Sequence, residues 1–234
     1  MEWFNNWLDK LYETFVVGGG YMTIIEGFEK TLIITFGALI IGVIIGTIVA
    51  MIKVFALNNN GMKIFKVLDV ICNIYLTVIR GTPVVVQLLI SFFIIFVSAK
   101  DGTWVAMLTF GVNSGAYVAE TIRSGILAID NGQMEAGRSL GFSYLQTMWL
   151  IILPQAFKNI LPAIGNEMIA LLKETSVAGY VAVVDLTKAG NQIKNTTYDQ
   201  INPILLVALI YLVVVMLFTW LVGILERRLR KSER

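Results

Sequence analysis

The chain has 234 residues, of which 57% are hydrophobic and 15% charged, with a mean hydropathy of +0.77. Soluble domains carry about 25% charged residues, so this composition points into a bilayer. The net charge of +2 is too small to argue for nucleic acid, and the absence of histidine excludes histidine-based metal or triad sites. The single cysteine, Cys72, rules out a disulfide within the chain and lies in an apolar run where packing explains it.

Residues 1–17 set Trp3, Phe4, Trp7, Leu8, Leu11 and Phe15 at near-helical spacing with charges between them. That pattern predicts an amphipathic helix at the bilayer surface, and the acidic Glu2 and Asp9 argue against a signal peptide. Gly18-Gly19-Gly20 should break it. The uncharged run 31–52 would extend about 33 Å as a helix, enough to cross a membrane. Within it Gly42 and Gly46 form a small-residue face suited to close helix contact.

Lys53, Lys63 and Lys66 follow, then an apolar run stopped by Arg80-Gly81-Thr82-Pro83, since proline cannot continue a helix and restricts its neighbour. A second span is expected at 81–99. A third is expected at 103–121, antiparallel to it across the short turn Lys100-Asp101-Gly102. Residues 159–184 are apolar but interrupted by Pro162, Gly165, Glu167, Lys173, Glu174 and Gly179. Hydropathy alone does not decide whether they cross; the basic residues do. The lysines and arginines of 53–80, Arg123 with Arg138, and the tail Arg227, Arg228, Arg230, Lys231 and Arg234 fall on one side only if 159–184 crosses once. The last span is 203–225, where Asn202 can cap and Pro203 suits the first turn. The expectation is an all-α integral membrane protein with five spans. Its N-terminus is outside and its C-terminus in the cytoplasm. Residues 1–26 form an extracytoplasmic surface segment, 27–226 a single membrane domain, and 227–234 a basic cytoplasmic tail.

Between the third and fourth spans, residues 130–154 read as two short water-facing helices with a corner between them. Asp130 with Gln133, and Ser143 with Gln146, fit the spacing of a helix-capping residue and its partner three positions on. Gly141 stands where a first helix needs a left-handed last residue. Ala136 and Gly137 leave almost no side chain beside Glu135, so another surface can approach closely.

The order Glu135-Ala136-Gly137, three residues, Gly141, nine residues, then Ile151, Leu153 and Pro154 resembles the EAA motif of ABC importer permeases. That pattern is E-A-A, three residues, G, nine residues, I-x-L-P; the departure is Gly137 in place of the second alanine, which keeps the site small. Further blocks resemble the polar amino acid branch, the histidine, arginine and glutamine type of permease. They are Arg80-Gly81-Thr82-Pro83 with Gln87, Leu153-Pro154-Gln155-Ala156, Gly165-Asn166, and Lys173-Glu174-Thr175-Ser176. The resemblance runs over about 27–226 and implies the type I ABC importer fold, with five transmembrane helices and cytoplasmic coupling helices.

The resemblance also implies a non-catalytic permease subunit in the cell membrane that carries a polar amino acid inward. Its partners would be cytoplasmic ABC ATPase subunits holding ATP and magnesium, a second permease copy or a sister permease, and an external solute-binding protein. The coupling loop would use Gly132, Glu135, Ala136, Gly137, Ser139, Leu140, Gly141, Leu153 and Pro154. Arg80, Gly81, Thr82, Pro83 and Gln87 would shape a gate.

No cofactor is expected in this chain. A G-x-x-x-x-G-K-[ST] phosphate loop is absent from the sequence, as is any nucleophile–base pattern. That disfavours a membrane-embedded enzyme, and a stand-alone secondary carrier or channel would need no cytoplasmic elbow. Polar residues within spans are the substrate-site candidates, because ionisable groups in a bilayer face cavities or one another. On the third span these are Asn113, Ser114, Tyr117 and Glu120, and on the fourth Asn166, Glu167, Glu174 and Ser176. Three acids against Lys173 in that set lean toward a cationic or neutral amino acid.

Overall fold

The computed structural model describes residues 9–58 and 63–231. The expected surface helix falls partly outside them, since Trp3, Phe4, Trp7 and Leu8 are not described. Residues 9–12 are helical and run into a π-helical turn at Glu13–Val17. Gly19, at φ +68°, makes the expected break, a conformation that costs glycine nothing.

Nine α-helices follow among the described residues: α1 Gly20–Asn58, α2 Lys63–Gly81, α3 Val84–Ile90, α4 Gly102–Leu127, α5 Asn131–Ser139, α6 Tyr144–Thr147, α7 Leu153–Glu174, α8 Leu186–Thr197 and α9 Asn202–Lys231. No strand occurs among the described residues. π turns at Ser91–Ile95 and Met148–Ile152 continue α3 and α6, and a 3₁₀ segment, Thr175–Val181, follows α7.

Among the described residues, three stretches are long and apolar enough to cross a membrane: Gly20–Leu57, Tyr144–Val181 and Asn202–Leu229. A fourth counts if the pair broken at Thr82-Pro83 is one span. The expected bounds shift in physically simple ways. Helix α1 begins ahead of 31 and takes Glu26, Glu29 and Lys30 into its first turns. The run 81–99 is helical only from Val84 to Ile95, about 18 Å, well short of a hydrocarbon core of about 30 Å. Pro83 offers no N–H and stops α2, as expected, while Phe96 closes the π turn by donating its N–H to the Ser91 carbonyl at 2.8 Å. At the entry to α9 the Asp199 carboxylate accepts from the backbone N–H groups of Ile201 and Asn202, at 3.2 Å each, and from the Asn202 side chain at 2.6 Å.

The chain divides into two compact units, each assembled from three separated segments. The first comprises Met1–Ala38, Val84–Phe110 and Leu171–Leu217. Its core gathers Ile24, Leu186, Ala189, Ile193 and Val207. The Thr31 hydroxyl, fully buried, accepts the Leu186 N–H at 3.0 Å, and Asp185 caps α8 by accepting from Thr187 and Lys188.

The second unit comprises Leu39–Pro83, Gly111–Ala170 and Phe218–Arg234. One core cluster holds Ala50, Val54, Val118, Ile122, Met148 and Ile152; another sets Val49 against Cys72, Leu76, Ala116 and Ala119. The small-residue face of α1 does what its spacing predicts. A Cβ on Gly42 would stand 2.9 Å from Ser114 Oγ, and one on Gly46 2.6 Å from Val118 Cγ1, so two glycines four residues apart seat two α4 side chains four residues apart. The elbow at 130–147 and the residues around Tyr117 and Glu120 lie in this unit.

Candidate functional site

The elbow forms as two helices at a corner, and short-range chemistry accounts for its shape. The Asp130 carboxylate accepts the Gly132 N–H at 2.7 Å and starts α5. Gln133 does not complete a reciprocal box; its side chain meets Gln155 at 3.4 Å instead. At the other end Gly141 takes φ +89°. The Phe142 N–H then reaches the Gly137 carbonyl at 3.2 Å and the Gly141 N–H reaches Arg138 at 3.1 Å, the paired bonds of a Schellman stop. Arg138 donates from Nη1 to the Phe142 carbonyl at 3.1 Å, which ties the corner from outside. Ser143 and Gln146 complete the expected capping box at 3.2 and 2.7 Å.

What this frame presents is a narrow surface. Glu135, Ala136, Ser139 and Pro154 are exposed, Leu153 is half-buried, and Leu140 leaves 77% of its surface open at the corner. Gly137, the departure from the alanine pattern, is buried. A Cβ there would stand 2.5 Å from Thr147 Cγ2, whose hydroxyl is already held by the Ser143 carbonyl at 3.0 Å. The glycine is therefore a packing requirement of this elbow, where α6 crosses close beneath α5. Under the corner, Val54, Ile126, Met134, Tyr144 and Met148 line an apolar cavity of about 210 Å³.

The membrane-side candidates do not assemble into one cavity. Ser114, buried, donates to Glu167 at 2.9 Å; Asn113 is buried beside it in α4, and Asn166 is exposed. Glu174 and Ser176 belong to the other unit, where Ser176 lines a cleft of about 310 Å³ with Tyr180, Asp185, Lys188 and Asn191. Of the gate residues, Arg80 and Gly81 end α2, Thr82 donates to the Val78 carbonyl at 2.9 Å, and Gln87 lies in the first unit.

Tyr117 and Glu120 instead face a cleft of about 570 Å³ whose other polar walls are Lys53, Asn73, Thr77, Arg80 and Arg123. The Glu120 carboxylate accepts two bonds from Arg123, the one from Nε at 3.3 Å. Lys53 donates to Asp69 at 3.1 Å and to Asn73 at 2.6 Å, and Arg80 lies over the Tyr117 ring at 5.7 Å. A smaller cleft of about 230 Å³ shares Lys53 and Arg123 and adds Lys66 and Asp69. Three cations and one carboxylate line the larger cleft, whereas the lean toward a cationic or neutral cargo counted Glu120, Glu167 and Glu174 against Lys173. In the sequence Lys53 and Arg123 served only as markers of topology, and Asn73 and Thr77 were missed. The signal was there in α2, where Lys66, Asn73, Thr77 and Arg80 recur at helical spacing, with Asp69 between the first two, along a largely apolar helix.

Known proteins resemble this chain over most of its length. Residues 38–231 match the family model described as binding-protein-dependent transport system inner membrane component. The chain is 38% identical over 213 residues to the arginine transport system permease protein ArtQ of Bacillus subtilis, covering 90% of this chain and 94% of that protein. It is also 38% identical over 209 residues to the putative glutamine transport system permease protein GlnP of Rickettsia typhi, covering 88% and 92%. A crystal structure of an amino acid ABC transporter with histidines superposes with a TM-score of 0.81 at 39% identity, covering 89% of this chain and 94% of that one. With more than half its length matched by the family model and close relatives matched nearly end to end, the chain belongs to the family of binding-protein-dependent transport system inner membrane components.

Proposed function

We propose that this chain is the transmembrane permease subunit of an ABC importer that brings a polar amino acid into the cell. It does no catalysis itself; ATP and magnesium are bound and turned over by cytoplasmic ABC ATPase subunits. A solute-binding protein outside delivers the amino acid, and a second permease copy or a sister permease completes the membrane pathway. The chain crosses five times in this reading, with the N-terminus outside and the elbow and basic tail in the cytoplasm, as the distribution of lysine and arginine favours.

One observation carries the reading: the elbow at 130–147 is a rigid, self-capped corner that exposes Glu135, Ala136 and Leu140 at the spacing of the EAA motif. An element held by its own caps can transmit a push without deforming. ATP-driven closure of the ATPase pair would move the elbow and, through the cluster holding Met148, Ile152 and Ala156, the helices packed on it. ATP drives such a cycle only by binding the two conformations unequally. In this reading Tyr117 and Glu120, which line the larger cleft, meet the cargo, and the Ser114–Glu167 pair with Asn113 and Asn166 is a second candidate contact.

The test is reconstitution. The permease should co-purify with an ATPase, and vesicles holding the complex should accumulate amino acid only with ATP and the solute-binding protein present. Replacing Leu140 by Asp should remove the ATPase from the purified complex while leaving the permease folded. ATP-independent accumulation by the permease alone would favour a stand-alone carrier instead.

A further inference from the structure

In the large cleft the acids are already committed. Glu120 accepts both of its close bonds from Arg123, and Asp69 is bonded to Lys53 and Asn73. Arg80 is left: among the described residues no carboxylate lies in ion-pair contact with it, and its close neighbour is an aromatic face. A guanidinium lying over a ring keeps its in-plane N–H donors available, and those donors match a carboxylate in two parallel bonds. Asn73 and Thr77, which precede Arg80 along α2, line the same cleft and add neutral hydrogen-bonding groups beside it.

We propose that Arg80, set over Tyr117, is the group in this cleft that recognises the free α-carboxylate of the transported amino acid. The cleft of about 570 Å³ has room for an amino acid with some of its water, and its surplus of cations draws an anionic group inward. An amide in place of the carboxylate brings no charge and presents N–H donors to N–H donors. Arg80 is thus a specificity residue, and Tyr117 orients it. The inference rests on the importer reading but fails separately from it.

The experiment uses full-length permease in lipid nanodiscs, tritiated L-glutamine and L-arginine as probes, and the matching α-carboxamides as competitors. On the unaltered protein, at least one amino acid should bind, and its carboxamide should compete at least tenfold more weakly. Arg80→Gln should weaken binding tenfold or more and abolish the preference for acid over amide, while Arg80→Lys should retain part of both. Equal competition by acid and amide, Arg80→Gln binding like the unaltered chain, or no binding of either probe to the unaltered chain would each overturn the proposal. The acid–amide comparison needs no variant, so a misfolded Arg80→Gln protein does not shield it. Failure of the importer reading shows elsewhere, as loss of ATP-dependent uptake by the unaltered complex.

Discussion

Between residues 130 and 147 the groups that fix the elbow lie a few positions apart: Asp130 with Gly132, Gly137 with Phe142, Ser143 with Gln146. Around Tyr117 the opposite holds. Lys53 comes from α1, Arg80 from α2, and Glu120 with Arg123 from α4, so the cleft exists only once three helices have packed. The elbow is a local device whose stiffness comes from caps, and the cleft is a tertiary device whose character comes from charge. Each therefore breaks in its own way: the elbow through backbone and packing, the cleft through charge with the fold left standing.

The largest expected effect is on the elbow. Gly137→Ala drives a Cβ into Thr147 and should cost about 1–3 kcal/mol of stability, with loss of co-purifying ATPase. Adding Thr147→Ser removes the nearest obstacle and keeps the hydroxyl that donates to Ser143, so the double variant should recover part of both readouts, the hydroxyl oxygen still standing 2.9 Å from the new Cβ. Failure to recover would mean the crossing of α5 and α6 is not what the glycine serves. Gly141→Ala must hold an alanine at φ +89°, a left-handed conformation costing about 1–2 kcal/mol; thermal unfolding of the purified chain measures it.

The cleft answers differently. Glu120→Gln leaves three cations with no acid among the lining residues, and ATP-driven uptake should fall roughly tenfold, about 1.4 kcal/mol in barrier height. ATPase recovery and unfolding temperature should stay unchanged in the same variant, since the Glu120–Arg123 pair is partly exposed and contributes little stability. A matched loss of assembly would erase the contrast between the two regions. Smallest is Ser143→Ala, which opens one capping box for about 1 kcal/mol and should leave uptake nearly intact.

That division also explains what could be read before any coordinates. Capping boxes, a left-handed glycine and a helix-stopping proline act over a few residues, so Ser143, Gly141 and Pro83 were legible from their neighbours. The Gly42–Gly46 face was legible because helical periodicity alone puts both on one side. Which polar groups share a cleft is a matter of tertiary placement. Glu120 and Glu174 look alike in sequence, yet one meets Arg123 and the other belongs to a different unit. Asp199 was missed for a subtler reason: it lies three positions ahead of Asn202, outside the helix, and accepts from the Ile201 and Asn202 N–H groups at the entry to α9.

The π turn at Met148–Ile152 sits just ahead of Pro154, where the missing proline N–H would otherwise interrupt an α-helical ladder at residue 150. One surplus residue in that turn sets the bearing of everything upstream. Excising a single position there would shorten the path by only about 1.5 Å but swivel the short helices through about 100° relative to α7. Lever length and lever aim are thus separately adjustable, and a one-codon deletion would point an intact handle the wrong way.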